Sequence, residues 1–258
     1  MLQKLLIKTI YTLKITTKNN QEIINKCLCK TYEILCALLG SPPTHYDVDI
    51  ENNEGSIIRM KQCSPQYLLN LIQFNIDDYV YIQNDPRYTF DKKYSKKYTE
   101  SMIGYQEYFL NVDISRIKNL IIESLKENRG VYTECDVMHC STSISIFSKD
   151  YDLSNVFSLP NDLDKKTKLK YKFKRKMHAV VITSVNIEKE SSFIHGWEVE
   201  NSWSHVGPSR GYYHMEPDWF DENVYSIVVH KTLLNQKERH ILLDPNITII
   251  DDIKTIYC

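Results

Sequence analysis

A histidine, an asparagine and a tryptophan carry the chemistry legible in this chain. His178 heads the run His178-Ala179-Val180-Val181-Ile182-Thr183-Ser184-Val185, and Asn201-Ser202-Trp203 follows the run Gly196-Trp197-Glu198-Val199-Glu200. An imidazole moves protons near neutral pH, but it is a directed base only when one tautomer is held in place. An amide oxygen is a suitable holder, and a base oriented by a second group is the logic of thiol and serine hydrolases. Residues 180–185 are β-branched and apolar, residues 194–199 are strand-like, and the polar stretch 186–193 between them suits an exposed loop. Antiparallel pairing with Val185 opposite Ile194 sets His178 opposite Asn201 at the open end of the hairpin, with Cβ atoms roughly 5 Å apart. In that register the Asn201 oxygen accepts from Nδ1–H, and Nε2 faces a nucleophile. The same residues also fit an edge histidine and a turn asparagine at a hairpin mouth, and spacing alone leaves both readings open.

A base needs a nucleophile, and none of the seven cysteines has the setting of one. A catalytic thiol gains from a helix amino terminus, where the dipole stabilises the thiolate. Cys27, Cys29 and Cys36 fall inside a helical stretch, and Cys63 precedes Ser64-Pro65. Cys135 and Cys140 flank an apparent strand end, and Cys258 is the last residue. A metal fares no better. Cys135, His139 and Cys140 are close in sequence and Cys27 is one residue from Cys29, but neither group has the two-residue spacing of a zinc knuckle. Asp136 reads as part of a strand-end rim. No metal and no cofactor is expected, and there is neither a glycine-rich phosphate loop nor a Gly-x-Ser-x-Gly elbow.

The elements that must position the pair divide the chain into a mainly helical segment, 1–85, and a β-rich part with a carboxy-terminal tail, 86–258. Apolar periodicity predicts helices over 1–15, 21–39 and 65–74, with Gly40 and Pro42-Pro43 stopping the second. Residues 47–59 read as a strand-and-turn excursion, followed by a tyrosine-rich stretch over 79–108. A helix over 115–128 places Ile117, Leu120, Ile121, Ser124 and Leu125 on one face. Strands are expected over 131–133, 180–185, 196–201, 211–215 and 225–230. The lysine-rich run 162–176 reads as a solvated insertion rather than as a nucleic-acid contact.

Composition is that of an ordinary globular protein, with 42% hydrophobic and 25% charged residues. A formal net charge of −1 gives no global pull toward nucleic acid or anionic membrane. An odd set of cysteines without a regular framework suits a reducing, cytoplasmic setting. Lys4, Lys8 and Lys14 interrupt the apolar stripe near the amino terminus, unlike a signal peptide. With only seven glycines, Asn and Asp are expected to serve several turns.

Asn201-Ser202-Trp203 with an upstream histidine resembles the second half of a papain-like cysteine peptidase. Trp197 to Trp203, Gly211-Tyr212-Tyr213-His214-Met215 and Asp218-Trp219-Phe220 resemble the bleomycin hydrolase family specifically. Leu39-Gly40-Ser41-Pro42-Pro43, Asn84-Asp85-Pro86-Arg87, Cys135-Asp136-Val137 and Met177-His178-Ala179 are similar to that family's patterns, in its order, over nearly the whole chain. The resemblance implies an α+β, papain-like fold, with a helical segment followed by the β-lobe that carries a catalytic His178 and Asn201. It implies that Trp203 shields their hydrogen bond from water. The family cuts peptides from the amino end with a cysteine nucleophile, in the cytosol, as a hexameric barrel. Its nucleophile and oxyanion-hole glutamine lie in an amino-terminal part with no counterpart here, so this chain is expected to lack the cysteine-bearing part. Ser204 stands where the family has glycine, Met177 where it has a small polar residue, and the tail from Asp244 lacks the family's Pro-Trp-rich character. The resemblance therefore implies a thiol aminopeptidase wanting its nucleophile. The alternative is a non-catalytic pseudoenzyme or assembly partner of full-length homologues, with no membrane or nucleic-acid partner.

Overall fold

The computed structural model describes residues 20–52, 54–72, 74–96, 108–137, 145–149, 163–174, 176–203 and 210–250. The chain forms two compact units, Met1–Asn75 and Ile76–Cys258. The helix expected over 1–15 lies outside the described residues.

The first unit holds α1 (Asn20–Leu39), β1 (Tyr46–Glu51), β2 (Ile57–Cys63) and α2 (Pro65–Ile72). Gly40, at φ +86°, ends α1 with its N–H on the Cys36 carbonyl at 2.9 Å, as the sequence predicts. The excursion expected over 47–59 is the antiparallel hairpin of β1 and β2. Cys27 and Cys63 are the buried apolar residues among those described in this unit, and α2 buries none.

The second unit contains β3 (Tyr79–Gln83), β4 (Lys92–Lys96), β5 (Tyr108–Asn111), α3 (Ile114–Lys126), β6 (Val131–Cys135) and β7 (Ile146–Phe147). There follow α4 (Lys165–Lys170), β8 (His178–Ile187), β9 (Ile194–Glu200), β10 (Tyr212–Met215), α5 (Pro217–Asn223), β11 (Val224–His230), α6 (Gln236–Leu243) and β12 (Thr248–Ile250). One ten-stranded sheet runs β12-β4-β5-β3-β11-β6-β8-β9-β10-β7. The pairs β12/β4, β3/β5 and β10/β7 are parallel, and the rest are antiparallel. The architecture is the expected α+β one.

The helix expected over 115–128 is α3, opened by Asp113, whose carboxylate accepts from the Arg116 N–H at 3.0 Å. Its stripe of Ile117, Leu120, Ile121 and Ser124 is buried, and Leu125 packs beside it. Opposite the stripe stand Val131, Ile182 and Ile227 from the central strands. The tyrosine-rich stretch supplies β3 to β5, joined by a turn in which the buried Asn111 replaces backbone partners. Its oxygen accepts from the Asp85 N–H at 2.8 Å, and its Nδ2 donates to the Asp85 carbonyl at 3.1 Å. Asp85 also holds Arg87 at 2.7 Å, which accounts for the Asn84-Asp85-Pro86-Arg87 pattern.

The lysine-rich run departs from expectation. It is docked in part: the Lys165, Lys168, Lys174 and Lys176 amines find acceptors along one end of the sheet, while Lys166, Lys170 and Lys172 stay exposed. Lys165 donates to Asn84 Oδ1 at 2.8 Å and to the Asp221 and Val224 carbonyls at 3.1 and 2.6 Å. Lys168 pairs with Glu222, Lys174 donates to Asn223 Oδ1 at 2.8 Å, and Leu169 is buried. Charge alone suggested solvent, but a long aliphatic stem can be buried when its ammonium meets partners.

Candidate active site

β8 and β9 form the hairpin that carries the predicted pair, in a register shifted from the simple count. That count sets Ile182 opposite Trp197; it stands opposite Val199. The shift is already present at the loop, where Ile187 rather than Val185 stands opposite Ile194; the irregularities between Ile182 and Ser184, and between Asn186 and Ile187, offset each other. Displacement by two residues keeps the side-chain face. Asn201 therefore remains on the His178 side, as a diagonal rather than a direct neighbour. Regular pairing ends at Val181 and Glu200, and the Asn201 N–H turns to the Gly211 carbonyl of the β10 side at 2.9 Å.

The two side chains meet. His178 Nε2 lies 2.8 Å from Asn201 Oδ1. A carbonyl oxygen only accepts, so the hydrogen sits on Nε2 and donates to it. This inverts the assignment that the register count suggested, in which Nδ1 faced the asparagine. With Nε2 engaged, the lone pair of a neutral ring is on Nδ1, which no other described residue occupies. Asn201 is 6% exposed, and its Nδ2 is buried without a partner. An orphaned buried amide costs about 1–3 kcal/mol.

Trp203 covers the pair, its ring 4.7 Å from the His178 ring and tilted by 33°. It is seated edge-on against Phe147 at 6.4 Å and Tyr213 at 5.7 Å. Phe147 in turn stacks on Tyr213 at 5.2 Å and on Trp219 at 4.8 Å. The Gly211-Tyr212-Tyr213-His214-Met215 and Asp218-Trp219-Phe220 patterns thus supply the platform beneath the tryptophan. These rings bind each other by area and by quadrupole-favoured geometry.

On the other flank, Cys135 of β6 stands directly opposite His178 of β8. Cys135 is buried, as is Asp136 beside it, whose N–H donates to the Asn223 carbonyl at 3.0 Å. Cys27, Cys29, Cys36 and Cys63 belong to the first unit. Among the described residues no cysteine sulfur is hydrogen-bonded to His178. Cys140, Cys258, His139 and Ser204 lie outside the described residues. No group of three or more His, Cys, Asp or Glu side chains among the described residues is arranged to hold a metal ion.

A cluster absent from the sequence reading lies on the reverse face of the sheet. Glu134 of β6 accepts from the hydroxyls of Tyr81 and Ser226, and Lys176 approaches it at 3.3 Å. Burial pushes the Glu134 carboxyl up, but Lys176, Ser226 and Tyr81 outweigh it and hold the group below the usual carboxylate range. The sequence offered only the alternation of Glu134 with Cys135 as a signal.

A model of the Peptidase C1-like family matches residues 2–251. The chain belongs to that family. Aminopeptidase C of Lactococcus lactis subsp. cremoris is 27% identical over 247 residues, which span 92% of this chain and 56% of the relative. Aminopeptidase C of Listeria innocua is 28% identical over 228 residues, or 85% of this chain and 51% of the relative. Among solved structures, PepW from Lactobacillus rhamnosis is similar at a TM-score of 0.82 and 26% identity, across 96% of this chain and 58% of that one. The papain-like fold and the likeness to bleomycin hydrolases read from the motifs are thereby borne out. The chain spans about half the length of the curated relatives it matches.

Proposed function

We propose that this chain supplies the base-bearing half of a thiol aminopeptidase, with His178 as proton-transfer group, Asn201 as its orienter and Trp203 as its shield. The 2.8 Å contact between Nε2 and Asn201 Oδ1, with Nδ1 left open, is the observation that carries the reading. In the proposed reaction a cysteine thiol placed at Nδ1 loses its proton to the ring. The thiolate adds to the peptide carbonyl, and the imidazolium then protonates the leaving amine, giving a thioester and a free amino group. Water deprotonated by the same ring hydrolyses the thioester and restores the thiol. Asn201 keeps Nδ1 directed at the sulfur through both transfers. Trp203 excludes water that would compete for the Asn201 oxygen.

The nucleophile is proposed to come from a cysteine-bearing part, covalently continuous or separate, corresponding to the portion of the relatives that this chain does not match. A cytoplasmic oligomer is part of the same proposal. The orphaned Nδ2 of Asn201 supports a site that is completed from outside. A non-catalytic role, as an assembly partner of full-length homologues, is favoured by a different observation: Cys135, the one described cysteine of the sheet unit, is not hydrogen-bonded to His178.

The test is complementation. The remaining portion of the Lactococcus lactis relative is co-expressed with this chain, and release of an aminoacyl group from a chromogenic amide is measured. Thiol-dependent hydrolysis that His178→Ala lowers by about 10⁴-fold or more supports the enzyme. A stable complex without hydrolysis supports the non-catalytic partner.

A further inference from the structure

The docked lysine segment leads directly into β8, and its last amine stands two residues before His178. Lys176 Nζ donates to Tyr81 Oη at 2.7 Å and to Gln83 Oε1 at 2.9 Å, both on β3, and meets Glu134 of β6 at 3.3 Å. It also sits 4.9 Å above the Tyr81 ring. Ser226 of β11 bridges Tyr81 and Glu134, so the cluster spans β3, β11 and β6 from the reverse face. Glu134 and Cys135 are consecutive on β6 and point to opposite faces. Cys135 is the register partner of His178.

His178 is the first residue of its strand, where ladders fray most readily. The β6–β8 ladder continues past it by one contact, the Met177 N–H on the Cys135 carbonyl at 3.2 Å. A longer stretch of chain is fixed only if something pins the backbone just upstream. We infer that Lys176, anchored by Glu134 and Tyr81, is a positioning residue that holds His178 in register, so that Nε2 stays on Asn201 and Nδ1 stays open. This rests on the reading of His178 as the proton-transfer group. The cluster touches neither the imidazole nor its nucleophile side and acts entirely through the backbone. Both charges are satisfied: the ammonium has a carboxylate, an amide oxygen and a phenol, and the carboxylate has two hydroxyls besides the amine.

The readout is the tautomer of the His178 ring, observed from its two ring-nitrogen resonances in the full chain labelled with ¹⁵N-histidine. His178→Gln assigns the signal. The wild type and Lys176→Arg are expected to hold the Nε2–H form. Lys176→Met keeps the stem and removes the donor, and is expected to shift the tautomer ratio toward that of free imidazole by about threefold or more. Tyr81→Phe removes one hydroxyl of the anchor and is expected to move it the same way by less, which keeps the test open if Lys176→Met fails to fold. Arg116→Met breaks an ion pair between α3 and Glu238 of α6 and serves as the control for lost stability alone.

An unchanged tautomer in both Lys176→Met and Tyr81→Phe overturns the assignment. So does an equal shift in Arg116→Met. The tautomer is read without any hydrolysis, so an inactive complemented enzyme would count against the proposed function and leave this result standing.

Discussion

At the scale of single residues, the proposed function turns on which nitrogen of His178 is left open. The Asn201 oxygen selects Nε2–H, and the whole proposed reaction then runs through Nδ1. Asn201→Ala is expected to leave the fold intact while lowering the turnover of the complemented enzyme by about 10²-fold or more, since general acid–base help is worth about 10²–10⁴. Steady-state kinetics with circular dichroism as a folding control check it; turnover within a factor of about two of wild type would remove Asn201 from the mechanism. The pair was legible in the sequence because imidazole and amide are chemically distinctive and both end β-runs. The identity of the bonded nitrogen was not. It goes with a hairpin whose loop closes at Ile187 and Ile194, two residues beyond the simple count, and no residue type announces that closure. The turns show the same limit. Asp91 and Asn128 take positive φ as their types suggest, yet Lys172 and Arg210 do so as well.

At the scale of elements, two buried polar anchors matter most. Glu238 accepts the Asn235 backbone N–H at 2.8 Å in the capping box of α6, and it also holds Arg116 of α3 at 2.7 Å. Hydrogen bonding to Glu238 raises the Arg116 pKa, so the guanidinium stays charged at all working pH values. Glu238→Ala removes the cap partner and strands a half-buried guanidinium. It is expected to cost about 2–4 kcal/mol in urea unfolding, and a loss below about 0.5 kcal/mol would contradict the joint role.

Lys165 is the second anchor, with three oxygen acceptors and the Tyr225 ring at 4.8 Å. Burial lowers its pKa to about 7, against the opposing pull of Asp221, Asp85 and Glu222. A lowered folded-state value means that the unfolded chain binds more protons between about pH 7 and its own value near 10.5. The contribution of Lys165 to stability therefore rises with pH across that window and is smallest below it. Measured against Lys165→Met, the wild type is expected to gain stability from about pH 6 to about pH 9. A flat or opposite difference would mean that the acceptors outweigh burial. None of this was visible beforehand: charge in a sequence shows where solvent is favoured, not where acceptors converge. Helix α3 was legible because its apolar stripe repeats at helical spacing, whereas α5 and α6 are too short for a periodic signal.

At the scale of the whole molecule, the two units differ in how they are stabilised. The sheet unit buries Trp197, Trp219, Tyr213, Phe147, Phe220 and the α3 stripe in one continuous core. The described part of the first unit exposes Leu28, Tyr32, Leu39, Tyr67, Leu69 and Ile72 and buries little. Amide hydrogen exchange is expected to be fast across α1 and α2 and slowest in β6, β8 and β11, because protection follows local burial. Equal protection in both units would contradict this division. An α+β fold with its sheet in the later part was readable from strand-like runs. The parallel joins of β12 to β4, β3 to β5 and β10 to β7 were not, because each pairs segments distant in sequence and no local pattern records the partner.

The central claim is that His178 is a base oriented toward an incoming thiol, and the alkylation rate of that thiol tests it most directly. The cysteine-bearing portion of the Lactococcus lactis relative is treated with iodoacetamide at about pH 6, alone and in complex with this chain, where an unassisted thiol is about 99% protonated. The account predicts that the complex raises the alkylation rate of one cysteine by about tenfold or more, and that His178→Ala in this chain abolishes the gain. A complex that forms without accelerating alkylation, or that accelerates it equally with His178→Ala, would contradict it.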